Sequence, residues 1–268
     1  MTSIAMSAAV TGAQAQQQRI DIIANNVANV NTDGYKKVEA SFSDLFYINL
    51  KKAGMPEADG AAARPMGAQI GLGTKFVGTY RNMEMGPMRQ TNHALDIALT
   101  GPGYFAIALP NNRVAYTRAG AFQRDKETGN MITADGYTFE NNRIQPIPIE
   151  VDISTVHISD SGMVTIPNPD DPTQPTELGQ LDIFTFPNEN GLEAIGNNLL
   201  VATDASGESR PIEDEDKHGR FKQKWLEGSN VKAVEELVRL IEAQRAYELN
   251  TRVISTQDKI FESTNNIK

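Results

Sequence analysis

The residue types that most often carry out chemistry are few and scattered in this sequence. The three histidines, His93, His157 and His218, lie far apart and share no metal-ligand motif. There are no cysteines, so neither disulfides nor thiolate metal sites can form. No Gly-x-Ser-x-Gly nucleophile motif occurs. The sequence therefore predicts no catalytic centre and no metal site.

Two glycine-containing stretches match phosphate-binding loops only in part. The stretch Gly71-x-Gly73-Thr74-Lys75 lacks the Gly-Lys-Thr/Ser order of a P-loop, and Gly101-x-Gly103 lacks the third glycine of a dinucleotide-binding turn. Both are interpreted as tight turns in which φ is positive. The acidic residues at 170–171 and 213–216 lack calcium-loop spacing and are interpreted as solvated loops. We expect no cofactor and no enzymatic activity.

The overall charge excludes further classes of function. The 268 residues carry a formal net charge of -9, which argues against nucleic-acid binding and against docking on anionic lipid.

The sequence also lacks the signals of a membrane span or a cleaved signal peptide. A membrane-spanning helix would require an apolar run of about 18 residues, and no such run occurs. The first basic residue is Arg19, and no apolar core separates a basic start from a cleavage site. If this protein leaves the cytoplasm, we expect a route without a cleaved signal peptide.

The first 34 residues show the spacing of an amphipathic helix. Residues that recur alternately three and four apart form a heptad seam: Met6, Ala9, Ala13, Gln16, Ile20, Ile23, Val27 and Val30. The first half of this seam is small or polar and buries little, so the helix needs partners. Turn-forming residues at 31–34 predict its end.

A second helix is predicted from about 231 to 267, and it carries two apolar stripes. Leu240, Tyr247, Ile254 and Phe261 recur every seven residues. The adjacent second stripe consists of Val234, Val238, Ile241, Leu249, Val253 and Ile260. Two stripes give a face wide enough to contact more than one helix.

The middle of the chain, from about 77 to 201, reads as β structure. Alternating residues at 105–109 and 114–118 flank an Asn-Asn turn, and Asp135-Gly136 predicts a second hairpin. Alternation at 147–153, with two prolines, predicts an edge strand. We therefore predict an α+β fold, in which helical N- and C-terminal segments pair as a coiled-coil-like core domain around an inserted, antiparallel, mainly-β domain.

The domain boundaries follow from these patterns. The helical halves of the core domain are predicted at 1–34 and 229–268, and the β domain at 76–205. An extended connecting segment at 35–75 and a return connector at 206–228 link them.

Four motifs resemble those of bacterial flagellar rod and hook proteins, the axial protein family. In chain order they are ANNVANVNTDGYK at 24–36, LDIALTGPGYF at 95–105, YTRAGAF at 116–122, and a C-terminal group with Ser229-Asn230-Val231, Glu235-Glu236-Leu237 and QRAYE at 244–248. Within the family, the stretch 42–47, followed by a linker and Gly71-Leu72-Gly73, resembles the distal-rod members.

The resemblance implies a structural subunit that polymerises into a hollow helical drive shaft and transmits torque. Its implied partners are copies of itself, other rod proteins, the hook protein, the flagellar type III export apparatus and the outer rings that form the bushing. The implied location is the basal-body rod, where it crosses the periplasm. Phe42 and Phe46 resemble a Phe-x-x-x-Phe export-gate motif, although two aromatic residues four apart also pack on one helical face or turn.

The apolar stripes predict where subunits contact one another. We expect a subunit interface at Ile20, Ile23, Val27, Val30, Leu240, Tyr247, Ile254 and Phe261. Core packing within one chain is the alternative explanation of such periodicity. Two other functions stay open: a proximal rod or hook-like subunit, and a ligand-binding β module on an oligomerising helical stalk.

Overall fold

A computed structural model describes residues 4–51, 66–110, 113–140, 144–168, 175–212 and 220–265. The chain divides into two compact units. The terminal unit consists of Met1–Ala28, Val38–Tyr80 and Lys232–Lys268, and the central unit consists of Asn29–Lys37 and Arg81–Val231. Each unit therefore contains segments from both ends of the sequence.

The terminal unit contains two long helices and two strand ribbons. The helices are α1 (Ile4–Ala28) and α2 (Ala233–Asn265). The strands are β1 (Val38–Asp44), β2 (Tyr47–Lys51), β3 (Ala68–Gly71) and β4 (Thr74–Arg81). β1 pairs with β4, and β2 pairs antiparallel with β3. The predicted pairing of the helical ends is confirmed, and residues 52–65 of the connecting segment lie outside the described residues.

The two helices run antiparallel in a fixed register. Near one end, Asn26 Nδ2 donates a hydrogen bond of 3.1 Å to Glu236 Oε2. Farther along, a Cβ added to Gly12 would lie 3.0 Å from Asn250 Nδ2. Gly12 is 14 residues before Asn26, and Asn250 is 14 residues after Glu236, so the two contacts share one antiparallel alignment. Glu235 and Glu236 occupy the first turn of α2, where the helix dipole favours negative charge.

The helix α1 ends earlier than the seam predicts. Asn29 and Thr32 form a turn through a side-chain hydrogen bond of 3.1 Å, and Gly34 has a φ of +73°. These local bonds compete with the helix and stop it at Ala28. Val30, the last residue of the predicted seam, therefore lies in the turn after α1.

The central unit contains sixteen short strands among the described residues. They are β5 (Met88–Gln90), β6 (Ile97–Leu99), β7 (Phe105–Leu109), β8 (Arg113–Thr117), β9 (Phe122–Arg124), β10 (Met131–Thr133), β11 (Thr138–Phe139), β12 (His157–Ile158), β13 (Met163–Ile166), β14 (Thr176–Gln180), β15 (Phe184–Thr185), β16 (Glu193–Gly196), β17 (Leu199–Val201), β18 (Arg210–Pro211), β19 (Phe221–Gln223) and β20 (Trp225–Glu227).

A seven-stranded antiparallel sheet forms the largest layer of the central unit, in the order β16-β17-β8-β7-β11-β10-β9. A three-stranded sheet has the order β12-β13-β14, and β19 and β20 pair with β6 and β5. Two clusters of buried side chains fill this unit, one around Phe105, Ile107 and Leu181 and one around Tyr104 and Tyr116. The predicted hairpins at 105–118 and at Asp135-Gly136 are confirmed.

The strand predicted at 147–153 is wrong. Ile147 is buried and Ile149 is exposed, but the segment forms a turn and then a 3-10 helix at Ile153–Thr155. Pro146 and Pro148 have no N–H to donate to a neighbouring strand. Asp152 accepts a hydrogen bond from the Ser154 N–H and thereby caps the 3-10 helix.

Close packing in the central unit makes one glycine far more sensitive than another. A Cβ at Gly120 would lie 1.7 Å from the Ile97 carbonyl oxygen, whereas a Cβ at Gly136 would meet nothing within 4 Å. We expect Gly120→Ala to lower the free energy of unfolding by about 3 kcal/mol or more. Gly136→Ala is the control, and its φ of +83° should cost about 1 kcal/mol. Urea unfolding of both variants measures the difference, and equal losses would contradict the packing described here.

Candidate assembly surface

Groups that could hold a metal ion are absent among the described residues, since no three His, Cys, Asp or Glu side chains cluster there. Neither described helix is long and apolar enough to cross a membrane. The features that distinguish this molecule are its exposed apolar surface and two buried polar networks.

Exposed apolar side chains are concentrated in the terminal unit. Among the described residues, twenty large apolar side chains are exposed, and only Met85, Ile149 and Ile195 of these belong to the central unit. The other seventeen belong to the terminal unit, on α2 and on the strands β2, β3 and β4 or next to them. Contiguous exposed apolar surface marks interaction sites in soluble proteins. The terminal unit is therefore the candidate assembly surface.

The two stripes of α2 have different environments. Leu240, Tyr247 and Ile254 are half-buried and share a helical face with Glu236 and Asn250, which contact α1. All six residues of the second stripe are between 43% and 75% exposed. The first stripe is thus partly covered by the chain's own α1, except for the exposed Phe261, and the second stripe is left open to solvent.

The eight residues predicted as a subunit interface differ in their burial and in the elements on which they lie. Ile23 is buried, and Ile20, Val27, Leu240, Tyr247 and Ile254 are half-buried. Phe261 is exposed near the end of α2, and Val30 lies in the turn after α1. Most of these residues therefore contribute to packing inside the chain, and their part in an interface between subunits stays a prediction.

The second stripe is the more accessible surface, and the sequence holds a signal that could have identified it. Among the small residues of α1, Gly12 lies against Asn250 of α2, and Ala9 and Ala13 are buried. Such small side chains let α1 cover a single narrow strip of α2. One of the two stripes of α2 must therefore remain uncovered in a single chain.

The strand ribbon β2–β3 adds a second apolar surface to the terminal unit. All five residues of β2 are exposed, including Tyr47, Ile48 and Leu50. On β3, Ile70 is exposed opposite Ile48. A two-stranded ribbon with apolar side chains in water is at most marginally stable alone. These strands thus provide a surface that another protein surface would cover.

The net charge, like the exposed apolar surface, is distributed unevenly between the two units. The terminal unit has 11 Lys and Arg residues and 11 Asp and Glu residues, so its formal net charge is zero. The central unit has 14 basic and 23 acidic residues, which gives the whole net charge of -9. Copies of the terminal unit can approach one another without net repulsion, whereas copies of the central unit repel.

A buried polar network holds the start of α2 against α1 and β1. The Asn26 side chain bonds the Val38 backbone on both sides, accepting from its N–H at 3.0 Å and donating to its carbonyl at 2.8 Å. Asn26 also donates to Glu236, and both residues are only 1% exposed. Arg239 lies 3.3 Å from carboxylate oxygens of both Glu236 and Glu39. Since buried polar groups are costly unless they are bonded, this network specifies one register for the helix pair.

A second network, in the central unit, centres on the Glu227 carboxylate. Lys36 Nζ donates to Glu227 Oε1 at 2.6 Å and to the Glu84 carbonyl at 2.6 Å, and the Gly86 N–H donates to the same Oε1 at 2.9 Å. Burial lowers the pKa of Lys36, although the neighbouring Glu227 raises it in part. The Lys36–Glu227 ion pair therefore forms although the removal of these charges from water costs free energy.

Arg118 completes this cluster from the other side of the carboxylate. Its Nη1 lies 3.5 Å from Glu227 Oε2, without the geometry of a hydrogen bond, so the contact is Coulombic. Arg118 also donates to the Gly101 carbonyl at 2.7 Å and lies over the Tyr104 ring, 5.6 Å from its centroid. Burial raises the pKa of Tyr104, so its hydroxyl is neutral near pH 7.

The sequence motifs meet at this cluster. Lys36 ends the first motif, Arg118 belongs to the third, and Glu227 lies two residues before the C-terminal group. The backbone adds two bonds of 2.7 Å, from the Gly34 N–H to the Glu227 carbonyl and from the Lys37 N–H to Asn230 Oδ1. The motifs can be recognised in the sequence, but the contact between Lys36, Arg118 and Glu227 cannot. Its one trace in the sequence is that these charged residues stand singly among glycine and apolar residues.

The aromatic pair at 42 and 46 is not helical. Phe42 lies in β1 and packs edge-on against Phe76, with ring centroids 5.8 Å apart. Phe46 lies between β1 and β2 and is 86% exposed. The alternative in which the two rings pack on one helical face is therefore wrong. The export-gate interpretation stays a prediction.

Comparison with known proteins connects these features to a family. Residues 6–36 match the family described as flagella basal body rod protein, residues 98–166 match the flagellar hook protein FlgE/F/G D1 domain, and residues 222–267 match the flagellar basal body rod FlgEFG protein C-terminal family.

Relatives of nearly the same length cover almost the whole chain. The flagellar basal-body rod protein FlgG of Borreliella burgdorferi is 42% identical over 265 residues, which is 98% of each chain. The FlgG proteins of Agrobacterium fabrum and Bacillus subtilis are 43% and 36% identical, over 96% and 97% of each chain. The flagellar hook-basal body complex protein FlhP of Bacillus subtilis is 28% identical over 94% of each chain.

The Glu227 cluster should dominate the stability of the central unit. We expect Glu227→Ala to lower the free energy of unfolding by about 3–5 kcal/mol, because Lys36 and Arg118 would stay buried without their counter-charge. Glu235→Ala, which removes an exposed carboxylate paired with Lys232 at 2.9 Å, is the control and should change the free energy of unfolding by less than about 1 kcal/mol. Thermal unfolding of both variants tests this, and a small loss in Glu227→Ala would show that the cluster contributes little.

Proposed function

This chain belongs to the FlgG family of flagellar basal-body rod proteins, and we propose on that basis that it is a structural subunit of the distal rod. In this proposal, copies polymerise into a hollow helical drive shaft that transmits torque, and no catalysis is involved. The observation that carries the proposal is the neutral terminal unit with exposed apolar side chains on α2 and on the strand ribbon.

Assembly through the terminal unit follows from its surface chemistry. The second stripe of α2 offers aliphatic side chains at helical spacing, which is the pattern that packs against a helix of another subunit. A contact between unlike surfaces on two copies propagates as a helical filament when its rotation does not close a ring. In this arrangement, the α1–α2 helix pair of each chain is the element that repeats along the shaft.

The central unit has the opposite character and supports a different role. Its apolar side chains are gathered in two buried clusters, and it carries the whole net charge of -9. A well-packed acidic unit favours contact with solvent over contact with its own copies. We place it in the outer layer of the shaft.

The other partners in this proposal come from the family. They are the other rod proteins, the hook protein, the outer rings of the basal body and the type III export apparatus, and the shaft would cross the periplasm. A proximal rod or hook-like position is the rival within the same class, and the lower identity to the hook-basal body complex protein FlhP makes it the weaker one. Cross-linking to neighbours in purified basal bodies would separate the two positions.

A charge placed in the second stripe should block assembly without unfolding the chain. We expect Ile241→Asp to raise the critical concentration for polymerisation at least about tenfold, because the carboxylate would be buried between subunits. Ile195→Asp in the central unit is the matched control, since Ile241 and Ile195 are 51% and 45% exposed. Sedimentation and electron microscopy of purified chains measure assembly, and circular dichroism checks the fold. Normal filaments from Ile241→Asp would remove the second stripe from the interface.

Assembly should also depend on salt in a defined direction. Repulsion between acidic central units opposes association at low ionic strength, and it is screened as the Debye length falls from about 30 Å at 0.01 M to about 8 Å at 0.15 M. We therefore expect the critical concentration to fall as sodium chloride is added over this range. Light scattering of the purified chain measures it, and a rise with salt would mean that attraction between opposite charges drives assembly.

A further inference from the structure

The terminal unit contains a groove that its own side chains leave open. The groove has a volume of about 250 Å³ and lies where α1, β1 and the start of α2 meet. Its lining is half apolar and half polar, and Asn26, Glu236 and Arg239 of the buried polar network belong to it. The full lining is Arg19, Ile22, Ile23, Asn26, Val38, Glu39, Ala40, Phe42, Glu236 and Arg239.

The lining of this groove suits an aromatic ring. Ile23 is buried and Ile22 is half-buried, so α1 supplies an aliphatic wall. Phe42, whose ring packs edge-on against Phe76, belongs to the same lining and is an aromatic contact for an inserted ring. A dry cavity of about 150 Å³ is known to hold benzene, so the volume admits a phenyl side chain.

One residue on the same unit has the properties of the matching side chain. Phe46 has the highest exposed fraction, 86%, among the large apolar side chains of the described residues. Its backbone is fixed, because the Leu45 N–H donates to the Gly73 carbonyl at 2.9 Å and the Leu72 N–H donates to the Phe46 carbonyl at 3.2 Å. A ring held on an anchored backbone loses little conformational entropy when it binds.

We propose that Phe46 of one copy inserts into this groove on the next copy of the chain. The groove and Phe46 are different surfaces, so the contact is heterologous, and it repeats along a filament when its rotation does not close a ring. The formal net charge of the terminal unit is zero, so two copies approach without net repulsion. This contact rests on the proposed self-assembly and names one pair of surfaces within it.

Substitution of Phe46 tests the contact directly. We expect Phe46→Ala to raise the critical concentration at least about tenfold, as for an aromatic interface anchor, and Phe46→Tyr to stay close to wild type. Ile149→Ala is the control, since Ile149 is 54% exposed and belongs to the central unit, outside the candidate assembly surface. Purified chains are used so that export plays no part, and unchanged circular dichroism spectra show that the variants fold. Assembly of Phe46→Ala at the wild-type concentration would overturn the contact.

Cross-linking gives a second and independent test, because the sequence has no cysteine. Chains with Ala40→Cys and chains with Tyr47→Cys, which keep Phe46, are mixed, assembled and oxidised, and the linked peptides are identified by mass spectrometry. We expect links between positions 40 and 47 to exceed links between like positions. Filaments without such links would overturn the contact and leave the proposed assembly intact. Failure of the wild-type chain to polymerise would overturn both.

Discussion

The Glu227 carboxylate is fully buried, and it accepts hydrogen bonds from the Lys36 ammonium group and the Gly86 backbone. Lys36 and Glu227 are 191 residues apart, so this bond forms only when both ends of the central unit are in place. A buried charge without its partner would be strongly destabilising. The interaction therefore makes the central unit dependent on chain segments that also lead, within a few residues, into α1 and α2.

In the terminal unit, too, a buried polar contact joins distant segments of the chain, but this contact is weaker than an ion pair. Asn26 and Glu236 join α1 to α2 through a buried hydrogen bond, but the helix pair buries few large side chains. The buried residues of α1 are mostly alanines, which contribute little apolar area. The pair therefore has a defined register and a modest core. Its remaining apolar surface, on the second stripe and the strand ribbon, is available for other subunits.

The contrast between the two units explains how one chain can be both a stable fold and a building block. The central unit packs most of its apolar side chains in its own interior and carries the net charge, so copies of it repel one another. The terminal unit leaves aliphatic and aromatic side chains exposed and has no net charge. Separating these properties in one chain allows strong contacts on one unit without general aggregation through the other.

The helical segments at the two ends of the chain, two β hairpins and the family could be predicted from the sequence, because they depend on local spacing, on turn residues and on ordered motifs. Both stripes of α2 are also visible there. Which stripe stays exposed is a property of the folded chain, because it depends on the small surface of α1 and on the register fixed by Asn26 and Glu236. The conformation of 147–153 and the contacts among Lys36, Arg118 and Glu227 also depend on the folded chain. These three residues are about 80 to 190 positions apart, and no local pattern encodes contacts over that separation.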